Sequence, residues 1–326
     1  MSQLPIIDLA RPSRDLAPAI ATACRDHGLF YLTGHGLDPA LIENLAEQSR
    51  AFFALDAAEK ARVAQPAPDQ IRGYIGLGKA ALAATRGEIR TLDLKESFNM
   101  GPITPRAIPG GLDPAMVEAH LAPNLWPSHP PDFRRTWEAA YHRFETLADR
   151  VFGHLEMALQ VEAGFFQKMI DRHVSVLGAI RYPDLPPDAA PQGQRAGAHR
   201  DFGGFSLLHL EDGRDGLQAQ AHDGRWVPVP PRAGTLVLLL GDMMTRWTAG
   251  AWRAPLHRVV EDRPPGMTGA SGPNRNGRLT LGYFQHPNLD ALVTPLPTFR
   301  AGPVETPLLA GEHLYRQFNR QQDALS

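Results

Sequence analysis

From residue 174 onward the chain breaks into short segments of alternating polarity, each closed by Gly, Pro, Asn or Asp. The segments are 174–182, 197–201, 205–210, 217–221, 226–228, 235–240, 257–261 and 278–285. Successive side chains of a strand point to opposite faces, so this alternation gives each segment one face for a core and one for something else. Eight short strands at close spacing predict an antiparallel sandwich or jelly roll over 174–300. The 30 Gly and 30 Pro agree with strands joined by turns.

Upstream the period changes to that of helices. Asp132 opens the longest predicted helix, in which Phe133, Trp137, Tyr141, Phe144, Ala148, Val151, Leu155 and Leu159 recur every three or four residues. That stripe reads as core packing along a sheet, with Gly164 as its end and a short helix over 165–171. Segments 4–9 and 29–32 read as strands. Residues 14–27 read as a helix ended by Gly28, and Asp38-Pro39 as the cap and first position of another. A short polar helix is expected over 56–63.

Between 64 and 130 the pattern is irregular. The glycine-rich stretch 72–78 lacks the Gly-Lys-Ser/Thr of a phosphate loop, 95–100 reads as a strand or turn, and 102–131, with eight prolines, reads as an extended connector. The expected organisation is one domain, mainly β with flanking helices. It comprises an N-terminal α/β region (1–130), supporting helices (131–173), a jelly-roll core (174–300) and a C-terminal segment (301–326) that is helical over 311–322.

A net charge of −2 and the lack of a basic run argue against a nucleic-acid partner. One cysteine, Cys24, excludes an intrachain disulfide and argues against a Cys-based zinc site. It suits the reducing cytoplasm. No apolar run reaches the length of a membrane span, and the first residues lack a signal-peptide layout. A cytoplasmic protein with no membrane or nucleic-acid partner is therefore expected; oligomeric state is left open.

The candidate chemistry begins at His199-Arg200-Asp201. On a strand, positions i and i+2 share a face, so an imidazole and a carboxylate project side by side. A His-x-Asp pair alone is weak evidence. Of the 13 histidines, His209 sits in an apolar strand run and suits packing, His222 falls in a turn, and His286 stands at a strand end before Pro287. His257, 56 residues after Asp201 at the start of an apolar run, is the best third partner. Two His and one carboxylate, split between a local pair and a distant residue, form the facial triad of non-haem Fe(II) oxygenases, which leaves positions open for co-substrate and O2. Arg278 and Thr280 lie on one face of the last strong strand, where a guanidinium fork and a hydroxyl suit a carboxylate.

With these residues in place, the chain resembles the Fe(II)/2-oxoglutarate-dependent dioxygenases of the isopenicillin N synthase-like superfamily over nearly its whole length. The resemblance is carried by Pro5-Ile6-Ile7-Asp8-Leu9, Gly28-Leu29-Phe30-Tyr31-Leu32-Thr33-Gly34-His35-Gly36 and Asn124-Leu125-Trp126-Pro127. It continues through His199-Arg200-Asp201, Gly216-Leu217-Gln218, Gly241-Asp242-Met243, His257-Arg258-Val259 and Arg278-Leu279-Thr280.

The resemblance implies a double-stranded β-helix, Fe(II) on His199, Asp201 and His257, and 2-oxoglutarate held by Arg278 and Thr280, with Tyr182 assisting. Its members usually carry Ser at the Thr280 position; Thr keeps the hydroxyl. The implied reaction is oxidation of a small molecule, as a hydroxylation, using O2 and releasing succinate and CO2. Arg72, Tyr74, Lys95, Phe98 and Phe284 occupy segments that border the pocket in similar proteins; with Arg72 and Lys95 both inward, an anionic substrate is expected. Alternatives are a 2-oxoglutarate-independent oxidase of isopenicillin N synthase type, or an ethylene-forming reaction. The chain departs from the family pattern in the long, Gly-rich interval 264–277, at Ala249-Gly250-Ala251-Trp252, and at Phe205-Ser206, where Thr is commoner.

Overall fold

The computed structural model describes residues 4–79, 81–86, 93–104, 107–108, 110–183, 194–260, 277–299 and 306–323. In chain order the first elements are β1 (Ile6–Asp8), α1 (Ser13–Asp26), β2 (Leu29–Thr33), α2 (Pro39–Phe53), α3 (Ala57–Ala61), β3 (Gly73–Ile75), β4 (Glu96–Met100) and α4 (Pro114–Leu121). Then follow α5 (Phe133–Leu159), α6 (Gln167–Ile170), β5 (Val176–Tyr182), β6 (Gln194–His199), β7 (Phe205–Leu210), β8 (Leu217–Gln220), β9 (Trp226–Pro228) and β10 (Leu236–Leu240). The chain continues with α7 (Asp242–Trp247), β11 (His257–Val260), β12 (Arg278–Gln285), β13 (Leu292–Val293), β14 (Leu308–Leu309) and α8 (Ala310–Asp323).

The strands build an eight-stranded sheet in the order β1-β2-β10-β7-β12-β5-β4-β3 and a four-stranded sheet in the order β6-β11-β8-β9. Alternation along the large sheet decides what each face meets. Phe30 and Leu32 of β2, Phe205 and Leu207 of β7, Leu236, Leu238 and Leu240 of β10, and Leu279, Leu281 and Tyr283 of β12 all enter one core, shared with α1, α2 and α5. Their neighbours Leu29, Tyr31, Leu208, Leu210, Val237 and Leu239 face the other way. They join Ala196, Leu217, Ala219 and Val259 of the small sheet in a second core.

Helix α5 lies along the outer face of the large sheet. Its expected stripe is buried from Phe133 to Leu159. Phe144 stacks on Tyr283 of β12 at 5.7 Å and 7°, and the Tyr141 hydroxyl donates to the Ser175 carbonyl at 2.9 Å. Further along, Trp137 and Phe133 close on Phe98 of β4, with ring centroids 5.0 and 4.9 Å away. Aromatic packing on this scale fixes the sheet's outer face and leaves its inner face to the site.

Three expectations are corrected. The stretch 102–131 is not all extended: Asp113 caps α4 by accepting from the Ala115 amide at 2.9 Å, with Pro114 at the first position, and the proline count concealed that start signal. Helix α5 ends at Leu159, five residues before Gly164, and its cap, Gln160, takes the left-handed conformation (φ 54°) itself. Strand β6 stops at His199, so Asp201 lies in the bend after it rather than on the strand. Of the Gly-rich interval 264–277, only Gly277 is among the described residues.

Candidate active site

His199 ends β6 and His257 begins β11, and the two are direct partners in the antiparallel register of the small sheet. Cross-strand neighbours lie close, and the imidazole centroids are 4.2 Å apart. The bend after β6 brings Asp201 back toward them. Its Oδ1 stands 3.7 Å from His199 Nε2 and 3.6 Å from His257 Nε2. One donor atom from each of the three falls within 4.8 Å of the others, the one such group of three among the described residues.

The protein also fixes which atoms are offered. His199 Nδ1 donates to the Gly197 carbonyl at 2.7 Å and His257 Nδ1 to the Pro255 carbonyl at 3.2 Å. A ring nitrogen facing a carbonyl must carry the proton, so each Nε2 keeps its lone pair for a metal. Burial first, then the neighbouring His257 and Lys95, push His199 well below the usual imidazole range, which favours the neutral, ligating form. On Asp201, Oδ2 accepts from the Ser206 hydroxyl at 2.5 Å, leaving Oδ1 to face the histidines. Two imidazoles and a carboxylate on one side of an open space, without sulfur, are a donor set that fits Fe(II).

That space is a cavity of about 170 Å3 between the sheets. The triad stands on the small-sheet side. From the large sheet, the inward positions of β12 and β5 contribute Arg278, Thr280, Phe284, Val176, Ile180 and Tyr182. Arg278 and Tyr182 are register partners, and the guanidinium lies 5.0 Å from the tyrosine ring centroid. Arg278 Nε and Nη1 and the Thr280 hydroxyl are buried without a hydrogen-bond partner. A buried guanidinium with two unpartnered nitrogens is costly unless an anion completes it, so the arrangement suits a carboxylate.

Of the five residues expected around a substrate, Lys95 and Phe284 line the cavity and three lie elsewhere. Arg72 is buried and turned away: its guanidinium donates to the His120 carbonyl, to Ala122 at 3.2 Å and to Ile71 at 2.7 Å. It thereby serves the carbonyls at the end of α4, which a helix terminus leaves without partners. Phe98 is fully buried against Phe52, Phe133 and Trp137. It lies on the outward parity of β4, while Ser97 and Asn99 face the cavity. The Tyr74 hydroxyl donates to Glu96 at 2.6 Å, in a buried cluster with Lys60 and Arg181.

Sequence reasoning missed Ser206, Asp93 and His286. Asp93 accepts from the Gly197 amide at 2.8 Å and the Leu82 amide at 3.1 Å, steadying the residue whose carbonyl orients His199. Its partner is 104 positions away, so no local pattern signals it. His286, read as a strand-end residue, lines the cavity. Ser206 stood out only as a departure from Thr.

The family profile described as non-haem dioxygenase in morphine synthesis N-terminal matches residues 4–129, and that of the 2OG-Fe(II) oxygenase superfamily matches 175–287. The chain is 33% identical over 292 residues to the 2-oxoglutarate-Fe(II) type oxidoreductase hxnY of Emericella nidulans, covering 86% of this chain and 77% of that protein. It is 30% identical to validamycin A dioxygenase of Streptomyces hygroscopicus subsp. limoneus, covering 90% and 79%. A 2OG-Fe(II) oxygenase family protein of Caulobacter crescentus superposes with a TM-score of 0.79 at 28% identity, over 98% of this chain and 99% of that one. A full-length Neurospora crassa protein solved in complex with alpha-KG shares the fold, with a TM-score of 0.82 at 24% identity over 97% and 95%. The chain belongs to the 2OG-Fe(II) oxygenase superfamily and is an Fe(II)- and 2-oxoglutarate-dependent oxygenase with the double-stranded β-helix fold.

Proposed function

We propose that this oxygenase hydroxylates a small organic molecule, with His199, Asp201 and His257 holding Fe(II) and Arg278, Thr280 and Tyr182 receiving the distal carboxylate of 2-oxoglutarate. The observation that carries the proposal is the facing of the two sets: three converging donor atoms at the small sheet and a buried guanidinium with two unpartnered nitrogens on the large one, lining one cavity. When bound, the iron with 2-oxoglutarate and O2 supplies the oxidising power, and the co-substrate leaves as succinate and CO2.

The chain's own residues position and exclude. Gly197 and Pro255 hold the imidazoles in one tautomer, Ser206 holds one oxygen of Asp201, and Ile180, Leu208, Leu217 and Val259 keep the space between the sheets apolar. Such partners set ligand orientation and basicity. Lys95, which lines the cavity and has its Nζ 3.4 Å from Asp93, supports a substrate with an anionic group; Arg72 does not. Residues from 65–99 and from 174–300 line the same cavity, which supports one catalytic domain. No described helix is long and apolar enough to cross a membrane, and the buried free Cys24 suits a reducing cytoplasm.

The test is anaerobic addition of Fe(II) and 2-oxoglutarate to the full chain. A weak visible charge-transfer band is expected, followed in air by succinate release that a metabolite screen stimulates. Iron bound without the band sinks the 2-oxoglutarate assignment; full iron binding by His199→Ala sinks the triad.

A further inference from the structure

The C-terminal helix α8 also reaches the cavity. On α8, Leu314 enters the main core, His313 Nε2 lies 2.7 Å from Asp242 Oδ2, and the Tyr315 hydroxyl donates to Asp69 at 3.3 Å. Both polar ties lead to the site. The Asp242 amide donates to the Asp201 carbonyl at 2.9 Å, and Asp69 belongs to the stretch that gives the cavity Gln65, Pro68 and Ile71. The helix is thus tied, through Asp242, to the backbone of Asp201, one proposed iron ligand, and, through Asp69, to the 65–71 stretch of the lining.

That seat delivers Phe318 into the cavity. Its ring meets Phe202, the residue after Asp201, edge-on at 5.6 Å and 77°, and His286 at 6.0 Å and 64°. His286 is buried; burial, with the nearby His120, pushes it down to about 3, so it is neutral at ordinary pH. The wall formed by Phe318, Phe202 and His286 is therefore aromatic and uncharged, while Lys95, Ser97 and Asn99 make another part of the lining polar.

We propose that Phe318 is a specificity-determining residue: with Phe202 and His286 it forms the wall on which the reacting part of the substrate rests. It selects molecules whose reacting part is compact and apolar and whose polar or anionic end turns toward Lys95, Ser97 and Asn99. The inference rests on the oxygenase reading above. Because Phe318 projects from a helix seated by other residues, shortening it widens the cavity without removing the wall's support.

The test uses the full chain loaded anaerobically with Fe(II) and 2-oxoglutarate, with benzyl alcohol and 2-naphthalenemethanol as a small and a large apolar-ring probe. Binding is read by saturation-transfer NMR and by perturbation of the charge-transfer band. Wild type is expected to prefer the small probe. Phe318→Ala should gain at least tenfold for the large one, and Phe318→Trp should weaken both at least tenfold. Phe318→Leu, which keeps an apolar side chain on α8, should shift the preference in the direction of Phe318→Ala, and it replaces that variant if thermal unfolding shows α8 has detached. A ratio of affinities within twofold of wild type in the variants overturns the proposal, as does failure of every form to bind either probe. Absence of the charge-transfer band in wild type would instead count against the oxygenase reading, so the two failures are distinguishable.

Discussion

Replacing Ser206 by alanine removes one hydroxyl and should cost the site most of its hold on iron. The Ser206 hydroxyl donates to Asp201 Oδ2 at 2.5 Å, and both side chains are buried. A hydrogen bond to a charged group is worth about 1.5–3 kcal/mol. Without it Asp201 is free to rotate Oδ1 away from the two Nε2 atoms 3.6 and 3.7 Å away. Part of that cost falls on the apoprotein, which also loses the bond. What remains matches the loss usual when a group behind a metal ligand is removed, about 10–100-fold in affinity, or roughly 1.4–2.7 kcal/mol. The assay is titration of the 2-oxoglutarate-loaded protein with Fe(II) without oxygen, followed by the charge-transfer band. Ser206→Thr, which keeps the hydroxyl, should stay within a few-fold of wild type. Iron affinity of Ser206→Ala within twofold of wild type, with the fold intact by circular dichroism, would refute the reasoning, because Asp201 would then need no support from β7.

Three further outcomes follow from the same contacts. Arg278→Lys keeps the charge but loses the fork, so 2-oxoglutarate affinity should fall about 10–100-fold while iron binding without co-substrate is unchanged; an unaltered co-substrate titration would mean that Arg278 does not receive the co-substrate's carboxylate. Burial would raise the Glu96 carboxyl, but hydrogen bonds from Tyr74, Arg181 and Lys60 outweigh it and hold Glu96 below its ordinary 4.5. The stability it contributes is present above that value and lost as pH falls through the lower folded one. Urea midpoints of wild type should therefore drop more steeply below pH 4.5 than those of Glu96→Gln, and parallel curves would contradict this. Trp137→Ala, at a fully buried position between Phe98 and Phe133, should cost about 3–5 kcal/mol by chemical denaturation; a loss under about 1 kcal/mol would mean that the stack adds little.

The sequence by itself determined most of the elements, though not α4, and the chemical inventory. The bounds read for 205–210, 226–228 and 278–285 match the observed β7, β9 and β12, because short apolar runs closed by Gly, Pro, Asn or Asp are a local signal of strands. Asp38-Pro39 marks the start of α2 for a reason equally local: the Asp38 carboxylate accepts from the Ala40 amide two residues on. The residue types for iron and a carboxylate could be recognised in the same way.

Only the tertiary structure decided which groups meet. His199 and His257 become neighbours because β6 pairs with β11, and Asp201 reaches them from a bend that i, i+2 reasoning on a strand did not describe. Parity within β4 sent Phe98 to the helices and Ser97 and Asn99 to the cavity, and a one-residue error in parity exchanges the two faces. Arg72 went to the end of α4, since a helix's last carbonyls demand donors and that helix was hidden among prolines. Asp93 beneath Gly197 and Phe318 beside Phe202 act across 104 and 116 residues of chain. Such pairings depend on how the sheets and the last helix pack, and packing leaves no periodic trace in sequence.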